Sequence, residues 1–96
     1  MTGPEVRPHF LLLYDYVENA VERRAPHRAA HLEVIGRRKR EGKVLMGGAL
    51  GNPPTGAAIV FRVDDPAEVE AFVREDPYVL GGVVTHWRIL PWSVVV

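Results

Sequence analysis

Residues 44–63, VLMGGALGNPPTGAAIVFRV, hold two apolar runs of strand length on either side of a turn. The first run, 44–50, is a strand weakened by glycine, and the second, 57–63, is rich in β-branched and aromatic residues. Between them, 51–56 (GNPPTG) contains the residue types that turns prefer. The segment therefore predicts a β-hairpin, which divides the rest of the chain into two halves.

A helix is predicted on each side of the hairpin. Upstream, a helix runs from about Arg24 to a stop at Gly42, with Pro26 tolerable in its first turn. Its predicted apolar stripe consists of Ala29, Leu32, Ile35 and Gly36. Downstream, 65–68 (DPAE) supplies a cap, a first-turn proline and an acidic residue, and the helix ends near Glu75 because Pro77 follows.

Two further strands lie outside these helices. Residues 9–14 (HFLLLY) form an apolar run typical of a central strand, and 83–90 (VVTHWRIL) form the last long strand, followed by an apolar tail, 91–96. A polar connection, 15–22, separates the first strand from the first helix. The order βαββαβ predicts an α+β, ferredoxin-like protomer with a four-stranded antiparallel sheet, built by one domain spanning 1–96.

Two helices cover only one face of such a sheet, yet the first strand presents apolar side chains on both of its faces. A second copy of the chain is the economical cover, so a homodimer is expected. The apolar tail from Trp92 to Val96 leaves open a further contact between dimers, and with it a higher oligomer.

Composition excludes several classes of protein. The chain has 12 Lys+Arg, 12 Asp+Glu and no cysteine, which argues against nucleic-acid binding, thiolate catalysis and cysteine zinc sites. No metal-ligand or hydrolase motif is present, so neither a metal nor another cofactor is expected. No apolar run approaches the length of a membrane span, and 1–5 (MTGPE) lacks the features of a signal peptide, so no membrane association and a cytoplasmic location are expected.

Two polar residues are candidates for chemistry. His31 falls at the margin of the first helix's apolar stripe and is expected to be half-buried, whereas His27 is expected to be solvated and His9 structural. Asp76 lies on a turn before Pro77. Position alone leaves packing open for His31 and an Asx turn open for Asp76.

Four segments together carry a resemblance: 28–32 (RAAHL), 41–48 (EGKVLMGG), 76–83 (DPYVLGGV) and 88–92 (RILPW). In order and spacing they resemble the YciI-like, or YCII-related, domain family over about residues 9–93. The resemblance implies a dimeric α+β barrel related to muconolactone isomerases and chloromuconolactone dehydrochlorinases. It also implies an active site formed by a histidine on the first helix and an aspartate in the Asp-Pro turn, which are His31 and Asp76 in this sequence.

Two functions follow as hypotheses. The first is a cofactor-independent enzyme of lyase or isomerase type, in which His31 moves a proton, Asp76 orients it, and Arg28 and Tyr78 help to bind a small anionic substrate. Gly47 and Gly48 are expected to form the floor of the pocket, where a close approach of ligand or backbone needs glycine; the alternative is that they are ordinary bulge residues. The second function is a non-catalytic, small-ligand-binding or stress-related accessory dimer.

Overall fold

The protein was analysed as a computed structural model, which describes residues 7–96, with side chains from Pro8 onward. Residues 1–5, on which the absence of a signal peptide rests, lie outside this range. The elements in chain order are β1 (Arg7–Tyr16), α1 (Ala20–Arg24), a 3₁₀ helix (Ala25–His27), α2 (Arg28–Arg40), β2 (Val44–Leu50), β3 (Gly56–Phe61), α3 (Pro66–Glu75), α4 (Pro77–Leu80) and β4 (Val84–Val94).

The four strands form one antiparallel sheet in the order β2-β3-β1-β4. This confirms the predicted ferredoxin-like protomer and its central β2–β3 hairpin. The last strand is longer than predicted, because β4 continues through Pro91 and pairs Val94 with Arg7. Pro91 is tolerated there because β4 is an edge strand and needs hydrogen bonds on one side only.

The predicted downstream helix is confirmed as α3. Asp65 caps it by accepting a hydrogen bond from the amide of Ala67 at 2.9 Å, and Pro66 opens the first turn. Its inner face packs against β1 and β4 and contributes Val69, Phe72 and Val73 to the core. The ring of Phe72 meets that of Phe61 edge to face, with centroids 5.3 Å apart. Large side chains therefore fill this half of the layer between helices and sheet.

The upstream helix departs from the prediction in two ways. Helical structure begins at Ala20, within the predicted polar connection, and passes through a 3₁₀ turn before α2. The predicted apolar stripe of α2 is also wrong, since Leu32 is 45% exposed whereas His31 is buried. Tertiary contacts set the orientation of α2, because Arg38 on the same face pairs with Glu75 of α3 at 2.8 Å.

The face of the sheet opposite the helices is apolar and uncovered. Register places Met46, Val60, Leu11 and Leu90 in one row across all four strands. Met46 is 65% exposed and Trp92, farther along β4, is 46% exposed. In residues 7–96 no helix is long and apolar enough to cross a membrane.

Candidate active site

Asp76 lies at the junction between α3 and α4 and is completely buried. Its carboxylate caps α4 by accepting a hydrogen bond from the amide of Tyr78 at 3.0 Å. The hydroxyl of Tyr14 on β1 donates to Oδ2 at 2.7 Å. The third partner is Nδ1 of His31, 2.7 Å from Oδ1. A buried carboxylate with these three partners is held in one orientation, so it can fix the groups around it.

His31 connects α2 to this carboxylate. With Nδ1 bonded to Asp76, the remaining ring nitrogen, Nε2, is the one available to a ligand. The imidazole also stacks on the ring of Tyr78, with centroids 3.7 Å apart and planes within 2° of each other. Tyr16 meets Tyr78 edge to face at 6.1 Å. Hydrogen bonding and stacking together determine where the histidine ring lies and which nitrogen it presents.

All three tyrosines of the chain belong to this cluster, and the pKa of each hydroxyl is raised. Burial is the largest cause for Tyr14, and the negative charge of Asp76 and the hydrogen bond to it act in the same direction. Burial raises the pKa of Tyr16 to about 12. The pKa of Tyr78 rises through burial as well, although the guanidinium groups of Arg24 and Arg28 oppose the increase. The three phenols are therefore neutral hydrogen-bond donors at physiological pH.

A cavity of about 300 Å³ lies beside His31, between α2 and the β2–β3 half of the sheet. Its lining residues are Tyr16, Arg24, Arg28, His31, Leu32, Ile35, Gly47, Gly48, Ala49, Ala57, Ile59 and Tyr78. The lining residues that belong to the sheet are mostly glycine and alanine, so space remains between α2 and the sheet. The set of polar lining groups comprises two guanidinium groups, one imidazole and two phenols, with no carboxylate.

The structure brings the predicted site residues to one place. His31, Arg28, Tyr78, Gly47 and Gly48 line the cavity, and Asp76 lies directly behind His31. A side chain at Gly47 and one at Gly48 would point to opposite faces of the sheet. A Cβ at Gly47 would come within 3.2 Å of the side chains of Ile35 and Ile59, whereas a Cβ at Gly48 would meet nothing within 4 Å.

The register explains this difference. Gly48 pairs with Ala58, which pairs with Leu13, so its missing side chain belongs to the uncovered face of the sheet. Gly47 pairs with Ile59 on the helix-covered face. Gly47 therefore allows Ile35 of α2 to pack closely on the sheet, and Gly48 contributes only main-chain atoms to the cavity wall.

Sequence reasoning missed Tyr14, Tyr16 and Arg24. In the sequence Tyr14 counts as one residue of the apolar run that forms β1. A tyrosine on the buried face of a central strand, however, needs a hydrogen-bond partner for its hydroxyl. Arg24 lies four residues before Arg28, a spacing that brings side chains together on a helix. The sequence thus contained one signal for Tyr14 and one for Arg24.

Among residues 7–96, no group of three or more His, Cys, Asp or Glu side chains is placed to hold a metal ion. No curated protein sequence is significantly similar to the chain. Residues 9–93 match the YCII-related domain. The chain belongs to the YCII-related domain family. This confirms the resemblance carried by the Arg-Ala-Ala-His-Leu and Asp-Pro-Tyr segments.

One solved structure with the same fold is the 5-chloro-2-hydroxyhydroquinone dehydrochlorinase of Burkholderia phenoliruptrix AC1100, in complex with 2,5-dihydroxybenzoquinone. The two chains superpose with a TM-score of 0.76 and share 22% sequence identity, over 88% of this chain and 93% of the dehydrochlorinase. At this identity the likeness concerns the fold. The YCII-related chain thus shares its fold with a dehydrochlorinase whose structure was solved with 2,5-dihydroxybenzoquinone bound.

Proposed function

We propose that this YCII-related protein is a small enzyme of lyase or isomerase type in which His31 is the general base. The observation that carries the proposal is the 2.7 Å contact between His31 Nδ1 and the buried Asp76, with the imidazole at the cavity wall. A carboxylate that accepts the Nδ1 proton leaves Nε2 unprotonated and able to take a proton from a ligand. Such pairs contribute by holding the base in the correct tautomer and position.

The reaction that suits this arrangement starts at a carbon beside a carbonyl group. Nε2 of His31 removes the proton, and the electron pair of the broken C–H bond moves toward the carbonyl. A leaving group then departs from a neighbouring carbon, or His31 returns the proton to a different carbon. The first course is a lyase reaction and the second an isomerisation, and neither needs a cofactor. The dehydrochlorinase of the same fold is named for a reaction of the first kind.

The remaining lining groups support a small anionic substrate. Arg28 projects from the first turn of α2 beside His31, where its guanidinium can bind a carboxylate through two hydrogen bonds. The neutral hydroxyl of Tyr16 can donate to a carbonyl oxygen on the ligand. The cavity volume of about 300 Å³ suits a molecule with few heavy atoms.

Proton abstraction can be tested before the natural substrate is known. The protein is incubated in D₂O with a panel of small lactones, unsaturated acids and hydroxylated ring compounds, and loss of C–H signals is followed by ¹H NMR. We expect exchange with at least one member, slowed about a hundredfold or more in His31→Gln. The matched control, His86→Gln, changes an exposed histidine of β4 and retains the exchange.

The alternative, a non-catalytic ligand-binding dimer, makes a different prediction in the same experiment. Members of the panel would bind, with shifted protein signals, but no C–H group would exchange and no product would form. Exchange that survives in His31→Gln would remove this histidine from the mechanism even if the protein proves to be an enzyme.

A homodimer joined through the uncovered sheet face is part of the same proposal. The row Met46, Val60, Leu11 and Leu90 would leave a contiguous apolar surface in water if the chain were monomeric. Light scattering is expected to give twice the mass of the chain, and Met46→Lys to shift it toward the monomer. Leu80→Lys, at a 71% exposed position on α4, is the matched control. A monomeric wild-type protein at micromolar concentration contradicts this part of the proposal.

A further inference from the structure

We propose that the cavity binds a small dianion, such as an unsaturated or aromatic dicarboxylate, whose two charged groups engage Arg24 and Arg28. The inference rests on the proposed function for the identity of the site, and it specifies the class of substrate. Arg24 is the new element, since it ends α1 whereas Arg28 begins α2, and both line the same cavity as His31.

The first argument is the balance of charge around the site. Several other basic residues of the described chain pair with carboxylates, including Arg38 with Glu75 at 2.8 Å and Lys43 with Glu68 at 3.1 Å. Neither Arg24 nor Arg28 has a carboxylate oxygen within 4.0 Å among the described side chains. The nearby Asp76 is already occupied by His31 and Tyr14. Two positive charges therefore face the cavity without a negative partner.

The second argument is the placement of the two arginines. Like charges four residues apart on a helix repel each other and reduce stability. Here the 3₁₀ segment Ala25–His27 lies between them and keeps both on the rim of the cavity. Arg24 is half-buried and acts on both Tyr16 and Tyr78, opposing the increase in their pKa, so its positive charge reaches the interior of the site. A ligand with two negative groups can pair with both charges at once.

The third argument is the size of the cavity. On the sheet side it is lined by Ala49, Ala57 and the main chain of Gly47, whereas Ile35 of α2 approaches the position of a Cβ at Gly47 to 3.2 Å and closes the space at that point. The remaining volume of about 300 Å³ admits a small dicarboxylate beside the two guanidinium groups, and a bulky ligand would have to separate the helix from the sheet.

The test compares ligands that differ by one charge and little else. Terephthalate and 4-methylbenzoate have the same ring, with a methyl group in place of the second carboxylate, and fumarate and crotonate form a smaller pair. Binding is measured by calorimetry or NMR titration with the full chain at low ionic strength. Four proteins are compared: wild type, Arg24→Gln, Arg28→Gln and the control Arg23→Gln, which removes the same charge from the exposed neighbouring position.

We expect wild type to bind the dianion of at least one pair about tenfold more tightly than its partner. Either Arg24→Gln or Arg28→Gln abolishes that preference, because each variant weakens the binding of the dianion more than that of the monoanion, and Arg23→Gln preserves it. No preference in either pair overturns the proposal. An equal loss of the dianion preference in Arg23→Gln also overturns the proposal, because the preference would then depend on the net charge of the protein and not on the two cavity arginines. His31→Gln keeps the preference while losing proton exchange, so failure of the proposed catalysis is distinguishable from failure of dianion binding.

Discussion

The two halves of the layer between helices and sheet are packed differently. Under α3, the side chains of Val69, Phe72 and Phe61 are buried almost completely and interlock. Under α2, the sheet presents Gly47, Ala49 and Ala57, and a cavity remains. The sheet is continuous across both halves, and the side chains that it presents under α2 are smaller than those under α3. One half is filled by its side chains, and the other keeps the cavity in which we propose that a ligand binds.

This division also separates apolar from polar contacts. The α3 half is held by the burial of hydrocarbon, which needs no particular direction. The α2 half is held by the contact of His31 with Asp76 and the ion pair of Arg38 with Glu75, in addition to the packing of Val34 and Ile35 against the core. The α3 half thus relies on close apolar packing, whereas the α2 half combines partial packing with polar contacts and keeps a cavity. The comparison can be tested in each half separately.

The largest effect is expected from truncation in the α3 half. Phe72→Ala should reduce the free energy of unfolding by about 3–5 kcal/mol, because it leaves a cavity among fully buried neighbours. Ile35→Ala, in the α2 half, should cost about 1 kcal/mol, because that side chain is half-buried beside existing space. Urea denaturation followed by circular dichroism measures both. Equal losses would mean that the two halves are packed alike.

A smaller effect is expected from filling the α2 half. Ala49→Val adds two methyl groups where Ala49 lines the cavity, which should weaken the binding of terephthalate about tenfold. The free energy of unfolding should change by less than about 1 kcal/mol, since valine suits a strand. Ala71→Val adds the same groups at an exposed position of α3 and should leave binding unchanged. If Ala49→Val binds terephthalate as tightly as wild type, the cavity under α2 does not hold the ligand.

The smallest effect at neutral pH concerns the tyrosines. In the native protein no phenol should titrate near its ordinary pKa of about 10, and Tyr16 should titrate near pH 12. Because the native state keeps protons that the unfolded state has lost, stability is unaffected below about pH 10 and decreases as the pH rises through about 12. Ultraviolet absorbance measures the titration. Asp76→Asn should lower the pKa of Tyr14 most, and a native titration curve identical to that of the unfolded chain would contradict the cluster.

The parts of the fold with local signals were predictable from the sequence. The β2–β3 hairpin has turn residues between two apolar runs, and α3 has the cap Asp65 followed by Pro66. The face that α2 turns inward was not predictable, because it depends on partners 45 residues away along the chain. The end of β4 at Val94 was missed for a related reason, since its strand structure comes from pairing with the beginning of β1.

The candidate site shows the same division. His31 and Asp76 were proposed from helix position, turn chemistry and family resemblance, and the structure places them in contact. The contact of Tyr14 with Asp76 spans 62 residues, so the sequence of β1 indicates that the buried hydroxyl needs a partner but does not indicate which residue supplies it. A polar residue within an apolar helix stripe or strand therefore does not by itself reveal which residue it contacts. Its partner becomes apparent only when the topology brings the segments together.

The stack of His31 on Tyr78 makes the site observable by spectroscopy without any ligand. With the two planes 2° apart and the centroids at 3.7 Å, the carbon-bound protons of the imidazole lie within the ring current of the phenol. We expect their resonances to be shifted upfield, away from those of His27 and His86, for as long as α2 and α4 remain in place. Any ligand that slides the rings apart, or any change that loosens α4, returns these signals to the ordinary histidine region. The protein therefore carries an intrinsic NMR reporter of the geometry of its own cavity.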